Sequence, residues 1–336
     1  MPTHCDRRLS FPERLGLGRH WAPVTALLVA VATLTVSPAR ADAVVVTIKP
    51  VHAIAAAVMA GAGPPPRLLV DGAASPHTFT LKPSDAKALN AASIVIRVSE
   101  TVEPFTVRLA RSLPKSVRLV TLETIPGLTL YDLRAGAAFE AHAHGKHGHG
   151  HSHGHGTAAD KNAGRDGHLW LDPVNAKLIA SHLAHVFAEA TPAQAPRYRA
   201  NAAAFAAGID ALVPSLEAKL APLAGKPYVV FHDGYQYFER RFGLSPIGSV
   251  TVSPDIPPSA KRLTELRNRI RQTKAVCVFA EPQFEPKLVD TILEGTGARR
   301  GVLDPLGAAL PAGPDLYPAL LTGLADGVVS CIGGAP

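Results

Sequence analysis

Short apolar runs alternate with helical segments along the first half of the chain. The runs are rich in β-branched residues, and Pro and Gly residues separate them from their neighbours. The predicted strands of this half are Val44–Ile48, Arg67–Val70, 94–98 and 117–121, and its predicted helices are 51–60, 83–90 and 103–112. Because such strands are typical of sheets buried on both faces, the pattern predicts a parallel sheet covered by helices.

The second half repeats this alternation after two longer helices. The first is Pro173–Ala190, and the second, 196–220, carries apolar residues at three- or four-residue spacing. Beyond them the predicted strands are 228–231, 247–252, 275–280 and 302–303, and the predicted helices are 234–242, 257–272, 287–295 and 315–330. The predicted fold class is therefore α/β, with two lobes, each a parallel-type sheet flanked by helices, joined by one long helix.

The N-terminus has the pattern of an export signal. Four arginines within the first 19 residues precede an apolar run at 21–36, and Ala39-Arg40-Ala41 offers a cleavage site. An uncleaved anchor helix is the alternative, and the general secretory route fits better than the twin-arginine route. The predicted organisation is a signal peptide at 1–41, an N-terminal lobe at 42–192, a linking helix at 193–224 and a C-terminal lobe at 225–336.

Composition and charge narrow the class of protein. The 336 residues are 47% hydrophobic and 18% charged, which suits a globular chain. No stretch after residue 45 approaches 18 apolar residues, so a polytopic membrane protein is excluded. Cleavage after Ala41 removes five of the 34 Lys and Arg residues and two of the 27 Asp and Glu residues, which leaves a net charge of +4. The basic residues are scattered, so no nucleic-acid partner is indicated.

The cysteines and histidines that remain once the signal peptide is removed are candidates for a disulfide and for metal binding. Two cysteines, Cys277 and Cys331, favour one disulfide in an exported protein, and two separately buried thiols are the alternative. Seven of the remaining histidines lie in a Gly-rich tract, 141–156, which predicts a flexible loop with low-affinity metal binding or a solvated linker. These seven are His142, His144, His147, His149, His151, His153 and His155.

Three of the other histidines are candidate metal ligands. His77 and His232 follow predicted strands, and His168 lies where ordered structure resumes after the Gly-rich tract. Ligands bind outside the carboxyl ends of strands in open α/β sheets, and three imidazoles with a fourth oxygen donor suit zinc. The spacing is no zinc-finger signature, so structural roles remain an alternative. The histidines interpreted as structural or surface residues are His52, His182 and His185.

Two acidic residues also follow predicted strands. Asp304 is a candidate fourth metal ligand or a residue that orients one of the histidines, and the alternative is a turn aspartate before Pro305. Glu281 could act as a base in an enzyme, but no nucleophile is paired with it. No HExxH, GxSxG, GxGxxG after a strand or Walker A motif is present, so no catalytic residue is predicted.

Five segments together resemble a known family. The chain is similar to the periplasmic high-affinity zinc-binding proteins of bacterial zinc ABC transporters, the zinc branch of the cluster A-I solute receptors. The resemblance covers essentially all of 42–336 and follows the family's order. The matching segments are Ser75-Pro76-His77-Thr78-Phe79 with Lys82-Pro83-Ser84-Asp85, Gly167-His168-Leu169-Trp170-Leu171-Asp172-Pro173, Phe231-His232-Asp233, Phe279-Ala280-Glu281-Pro282-Gln283-Phe284 and Leu303-Asp304-Pro305-Leu306-Gly307.

The resemblance implies a function and a site. It implies two lobes joined by a rigid helix, with Zn2+ held in the cleft by His77, His168 and His232. It also implies a Cys277–Cys331 disulfide, periplasmic localisation, a monomer and delivery of zinc to an inner-membrane ABC permease, with no enzymatic activity. Manganese receptors of the cluster are similar but place a carboxylate at the position of His232, so an all-His set favours zinc.

The chain departs from the family pattern just before the first candidate ligand. Many relatives carry an acidic residue there, whereas this chain has Pro76, so water or Asp304 must complete the site. Phe79 stands where tyrosine is common. The alternatives are a manganese, iron or nickel receptor of the same fold, or a zinc hydrolase, since three histidines and a water are also a catalytic pattern.

Overall fold

Eight strands and nine helices make up the part of the chain that the structure describes. The computed structural model describes residues 44–134, 139, 164–251, 253–254 and 256–334. The predicted signal peptide and the predicted loop at 141–156 lie outside these residues. In chain order the elements are β1 Val44–Ile48, α1 Lys49–Met59, β2 Arg67–Val70, α2 Pro83–Ala91, β3 Ile94–Arg97, α3 Phe105–Ser112, β4 Arg118–Thr121, α4 Pro173–Ala190, α5 Ala195–Leu220, β5 Tyr228–His232, α6 Gln236–Arg241, β6 Gly248–Thr251, α7 Ala260–Thr273, β7 Cys277–Ala280, α8 Lys287–Leu293, β8 Arg299–Val302 and α9 Leu316–Ile332.

The strands form two parallel four-stranded sheets, as the alternating pattern predicts. Their orders are β2-β1-β3-β4 and β6-β5-β7-β8, so the same topology occurs twice. Every residue of β1 and of β5 is buried, because helices cover both faces of each central strand. Parallel strands present their carboxyl ends at one edge, and ligands of such sheets bind there. The α/β prediction with two sheets is confirmed.

The long helix α5 runs alongside α1, α4 and α9. Its 26 residues span about 39 Å at the usual rise per residue. Tyr198, Phe205, Ile209 and Leu216 are buried on one side, which is the spacing that predicts the helix from sequence. In the described ranges no helix is both long and apolar enough to cross a membrane.

One hydrophobic core is shared by the two sheets. It includes Val46 and Ile96 from the first sheet and Tyr228 and Phe279 from the second. Residues of α1, α4, α5 and α9 fill the space between them. The two sheets are therefore held together by buried apolar packing as well as by the chain connection.

Polar contacts between the two halves lie close to the carboxyl ends of the strands. Arg241 on α6 makes two bonds of 3.0 Å to the carboxylate of Asp172. The indole Nε1 of Trp170 donates to the carbonyl of Pro305 at 3.0 Å, and the Tyr317 hydroxyl donates to the carbonyl of Trp170 at 2.7 Å. These bonds fix the segment 168–172 against the second half of the chain.

The predicted disulfide joins Cys277 on β7 to Cys331 near the end of α9. The bond closes a loop with a sequence separation of 54 residues. In the chain-entropy description, closing such a loop stabilises the folded state by up to about 4 kcal/mol.

We expect reduction of this bond to lower the free energy of unfolding by about 2 to 4 kcal/mol, because the unfolded chain regains conformational freedom. Urea unfolding of the oxidised and reduced wild-type chain, without metal, measures the difference. Using one sequence avoids the separate cost of a new side chain at the buried position of Cys277. Equal midpoints for the two forms would contradict the prediction.

Candidate metal centre

Three histidines meet between the two sheets. His77 lies in the loop that follows β2, His168 immediately precedes a short 3-10 helix, Leu169–Leu171, and His232 is the last residue of β5. Each offers one ring nitrogen to a group in which all three atoms lie within 4.8 Å of one another. The Nε2 atom of His168 is 3.2 Å from that of His77 and 3.1 Å from that of His232. The structure therefore brings together the three candidate ligands, which are 91 and 64 residues apart in sequence.

In two of these rings, the nitrogen that lies away from the cluster contacts a carboxylate. Asp166 Oδ1 lies 2.8 Å from Nδ1 of His168 and also accepts the backbone N–H of that residue at 2.9 Å. Glu281 Oε1 lies 2.6 Å from Nδ1 of His232. Because a carboxylate only accepts, each Nδ1 carries the proton and donates it, which leaves the Nε2 lone pair free. Metal-binding histidines usually have such partners, which orient the ring and raise its basicity.

The tautomers explain why this cluster suits a cation. With both Nδ1 atoms donating, His168 and His232 face each other with two Nε2 acceptors at 3.1 Å. Two lone pairs at that distance repel unless a proton or a metal ion lies between them. Two nitrogens bound to one tetrahedral zinc would be about 3.3 Å apart, given the usual zinc–nitrogen bond lengths. The observed spacing is close to that value.

Burial and neighbouring charges shift the pKa values of His77 and His232 in opposite directions. Burial lowers the pKa of His77 well below its usual value of 6.5, and the other two imidazoles lower it further. Burial also acts to lower the pKa of His232, but the negative charges and hydrogen bond of nearby carboxylates, chiefly Glu281, outweigh it and raise the pKa. Burial acts to raise the pKa of Asp166, but its contacts with His168 lower it overall.

The carboxylate of Asp304, the candidate fourth ligand, bonds to the backbone of its own loop. Its Oδ1 accepts the backbone N–H groups of Leu306 and Gly307 at 3.1 and 3.0 Å, and its Oδ2 accepts that of Ala308 at 2.5 Å. Gly307 adopts φ +67°, a left-handed conformation that glycine tolerates, where the loop turns back. Among the described residues, the metal-ligating group contains only the three histidines. The contacts of Asp304 match the turn role that the sequence left as its alternative.

Two functional partners were not predicted from sequence. Asp166 lies two residues before His168, after the Gly-rich tract, and no motif singles it out. Glu281 follows β7, and β7 pairs with β5, whose last residue is His232. The neighbouring strand ends bring the glutamate and the histidine together, so the sheet order is the signal that could have identified Glu281.

The histidines interpreted as structural or surface residues lie away from the cluster. His52 is buried in α1, and its Nε2 bonds to the carbonyl of Pro66 at 2.9 Å. His185 is 68% exposed on α4 and pairs with Glu189. His182 lies one turn before His185 on the same helix.

The fold and the site define a class of protein: a two-lobed α/β receptor with a cluster of two buried imidazoles and one half-buried imidazole between its sheets. Residues 44–331 match the family model described as "Zinc-uptake complex component A periplasmic", ZnuA. The match covers most of the chain, so the protein belongs to the ZnuA family. It is accordingly a periplasmic zinc-uptake binding protein, and the family is one of transport components, not of enzymes.

Individual relatives agree with this assignment. The chain is 46% identical over 307 residues to the high-affinity zinc uptake system protein ZnuA of Brucella abortus (strain 2308), covering 87% of this chain and 92% of that protein. It is 37% identical over 291 residues to the ZnuA protein of Yersinia pestis, covering 86% and 91%. A crystal structure of ZnuA superimposes with a TM-score of 0.70 at 25% identity, covering 87% of this chain and 99% of that one.

Proposed function

We propose that His77, His168 and His232 capture one Zn2+ ion between the two sheets and hold it for transfer to an inner-membrane ABC permease. The observation that carries the proposal is the meeting of three imidazole nitrogens, two of them on rings whose Nδ1 faces a carboxylate. Neutral imidazole is a ligand that suits zinc, and tetrahedral zinc sites commonly use three histidines.

The charge around the cluster supports a divalent ion. Neutral imidazoles leave the full charge of the metal uncompensated, whereas Asp166 and Glu281 lie directly behind two of the rings. Both carboxylates are buried, with side-chain exposures of 1%. Negative charge at that depth is stabilised by a nearby cation, so bound zinc would relieve the cost of burying the two acids.

The proposed organisation follows the two sheets. The N-terminal lobe is 42–192, the linking helix 193–224 and the C-terminal lobe 225–336, with 1–41 as the signal peptide. The contacts between Arg241 and Asp172 and between Trp170 and Pro305 support a cleft that closes little when metal binds. The seven histidines of 141–156 serve as an accessory, weaker zinc-binding tract, and the protein acts as a monomer.

Competition between metals tests the proposal. We expect the metal-free protein to bind zinc with nanomolar affinity, about −12 kcal/mol, and manganese much more weakly, because an all-imidazole site disfavours the harder ion. Titration against a chelating dye with each metal alone, and then with both, measures the preference. Tighter binding of manganese would overturn the assignment of zinc as cargo.

A further inference from the structure

A small cavity adjoins the three histidines. Its walls include Gln283, Phe284, Pro305 and Leu306 together with the imidazole cluster. Its volume is about 10 Å3 when measured for the centre of a water-sized sphere. This is roughly the space that one water molecule requires. The cavity is thus suited to a single small ligand beside a metal bound by the histidines.

The side chain of Gln283, which lines this cavity, carries an unsatisfied acceptor. Its Nε2 donates to Asp304 Oδ1 at 2.8 Å. Its Oε1 is buried and accepts no hydrogen bond from any residue that the structure describes. A buried acceptor without a donor is unfavourable, so the unpaired amide oxygen of a residue that lines the cavity indicates a missing donor.

Asp304 determines which end of the amide is free. Both of its carboxylate oxygens already accept backbone N–H groups, from Leu306, Gly307 and Ala308. A carboxylate in that role accepts hydrogen bonds and donates none, so the amide nitrogen of Gln283 must face it. The oxygen is then the end of the amide that lacks a partner. The aspartate therefore fixes the orientation of the Gln283 amide.

We propose that Gln283 is a positioning residue for the fourth ligand of the bound metal: its amide oxygen accepts a hydrogen bond from a water on zinc, and Asp304 holds the amide in that orientation. The inference rests on the proposed zinc site. Zinc makes its bound water a stronger donor, which matches an acceptor that has no other partner. The uncharged amide holds the water without adding a third carboxylate, so the fourth position stays exchangeable during transfer.

Replacing Gln283 with leucine tests the acceptor. We expect Gln283→Leu to weaken zinc binding about tenfold, at the lower end of the effects of residues that orient metal ligands. The unfolding midpoint of the metal-free protein measures separately any effect of losing the hydrogen bond to Asp304. The visible spectrum of the Co2+-substituted protein should shift, since it reports the ligand geometry of the metal. Gln272→Leu is the matched control, because Gln272 is exposed on α7, and it should alter none of these.

A double-mutant cycle tests the role of Asp304. Asp304→Asn presents a donor to Gln283, allows its amide to turn and should weaken zinc binding to a similar degree. In the Gln283→Leu background the same change should cost less than it does in the wild type, because the amide is gone and only the bonds of Asp304 to the backbone of 306–308 are affected. If the losses of zinc affinity in the two single variants added up in the double variant, the inference would be overturned. It would also be overturned if Gln283→Leu kept the wild-type zinc affinity and an unchanged Co2+ spectrum.

The same measurements separate this inference from the zinc site on which it depends. If Gln283→Leu binds zinc as tightly as wild type while His232→Ala does not, the histidine site stands and only the role of Gln283 fails. If the wild-type protein itself does not bind zinc tightly, the proposed function fails first.

Discussion

Replacing His232 with alanine lowers the affinity for zinc by more than about 100-fold. Loss of a residue that hydrogen-bonds to a metal ligand typically lowers metal affinity 10- to 100-fold, and loss of the ligand itself should lower it by more. The side chain of His232 is only 4% exposed, so no solvent-exposed group can replace it readily. The change also removes the imidazole that bonds to the buried carboxylate of Glu281, which adds to the cost. Chelator competition with the purified variant measures the change.

Two control variants test whether tight zinc binding depends on His232 specifically. His185→Ala removes an imidazole from an exposed helix surface and should leave the tight site unchanged. Deletion of 141–156 should also leave tight binding nearly intact, while it lowers the number of weakly bound zinc ions. If the deletion abolished tight binding and His232→Ala did not, the ligand assignment would be wrong.

Zinc affinity falls steeply as the solution becomes acidic. Protons compete with zinc for the ring nitrogens, and the raised pKa of His232 makes it readier to take a proton than an ordinary histidine. The metal-bound form carries no proton at that nitrogen, so binding is fully favourable above this pKa and weakens as the pH falls through it. The loss therefore begins above pH 6.5, the ordinary value for histidine, at about tenfold per pH unit. His77, whose pKa is lowered, contributes only at more acidic pH.

Calorimetry in buffers of different ionisation enthalpy counts the protons that zinc displaces. The number should rise as the pH is lowered towards the pKa of His232. In Glu281→Gln the carboxylate that stabilises the imidazolium of His232 is gone, so the fall in zinc affinity should occur at lower pH than in the wild type. The variant should also bind zinc more weakly at every pH, because the ring has lost the carboxylate that orients it. An affinity that stays constant between pH 8 and pH 5.5 would contradict protonation of the ligands.

Periodicity predicted most of the fold, because buried strands and amphipathic helices leave strong local patterns. Val44–Ile48 and Pro173–Ala190 are found within the predicted limits. The prediction was less accurate for β8, which was expected at 302–303 and is Arg299–Val302. Arginines at an exposed sheet edge do not resemble a buried strand, since their side chains need no apolar neighbours.

The candidate site was predictable in part for a similar reason. The three histidines follow strands or precede an ordered segment, so topology alone places them near one edge. Their partners Asp166 and Glu281, and the orientation of Gln283, depend on side-chain directions and on which strands pair. These are properties of the folded chain that no local pattern of residues encodes.

The apolar core shared by the two sheets has a consequence for the cooperativity of the molecule. Helices α1, α5 and α9 pack against one another within that core, so neither half can unfold without exposing the buried surface of the other. The two halves should therefore melt in a single transition, and a fragment containing only one sheet would have no independent folded state. Zinc bound between the halves adds its binding energy to that same transition, so the loaded receptor resists heat as one body.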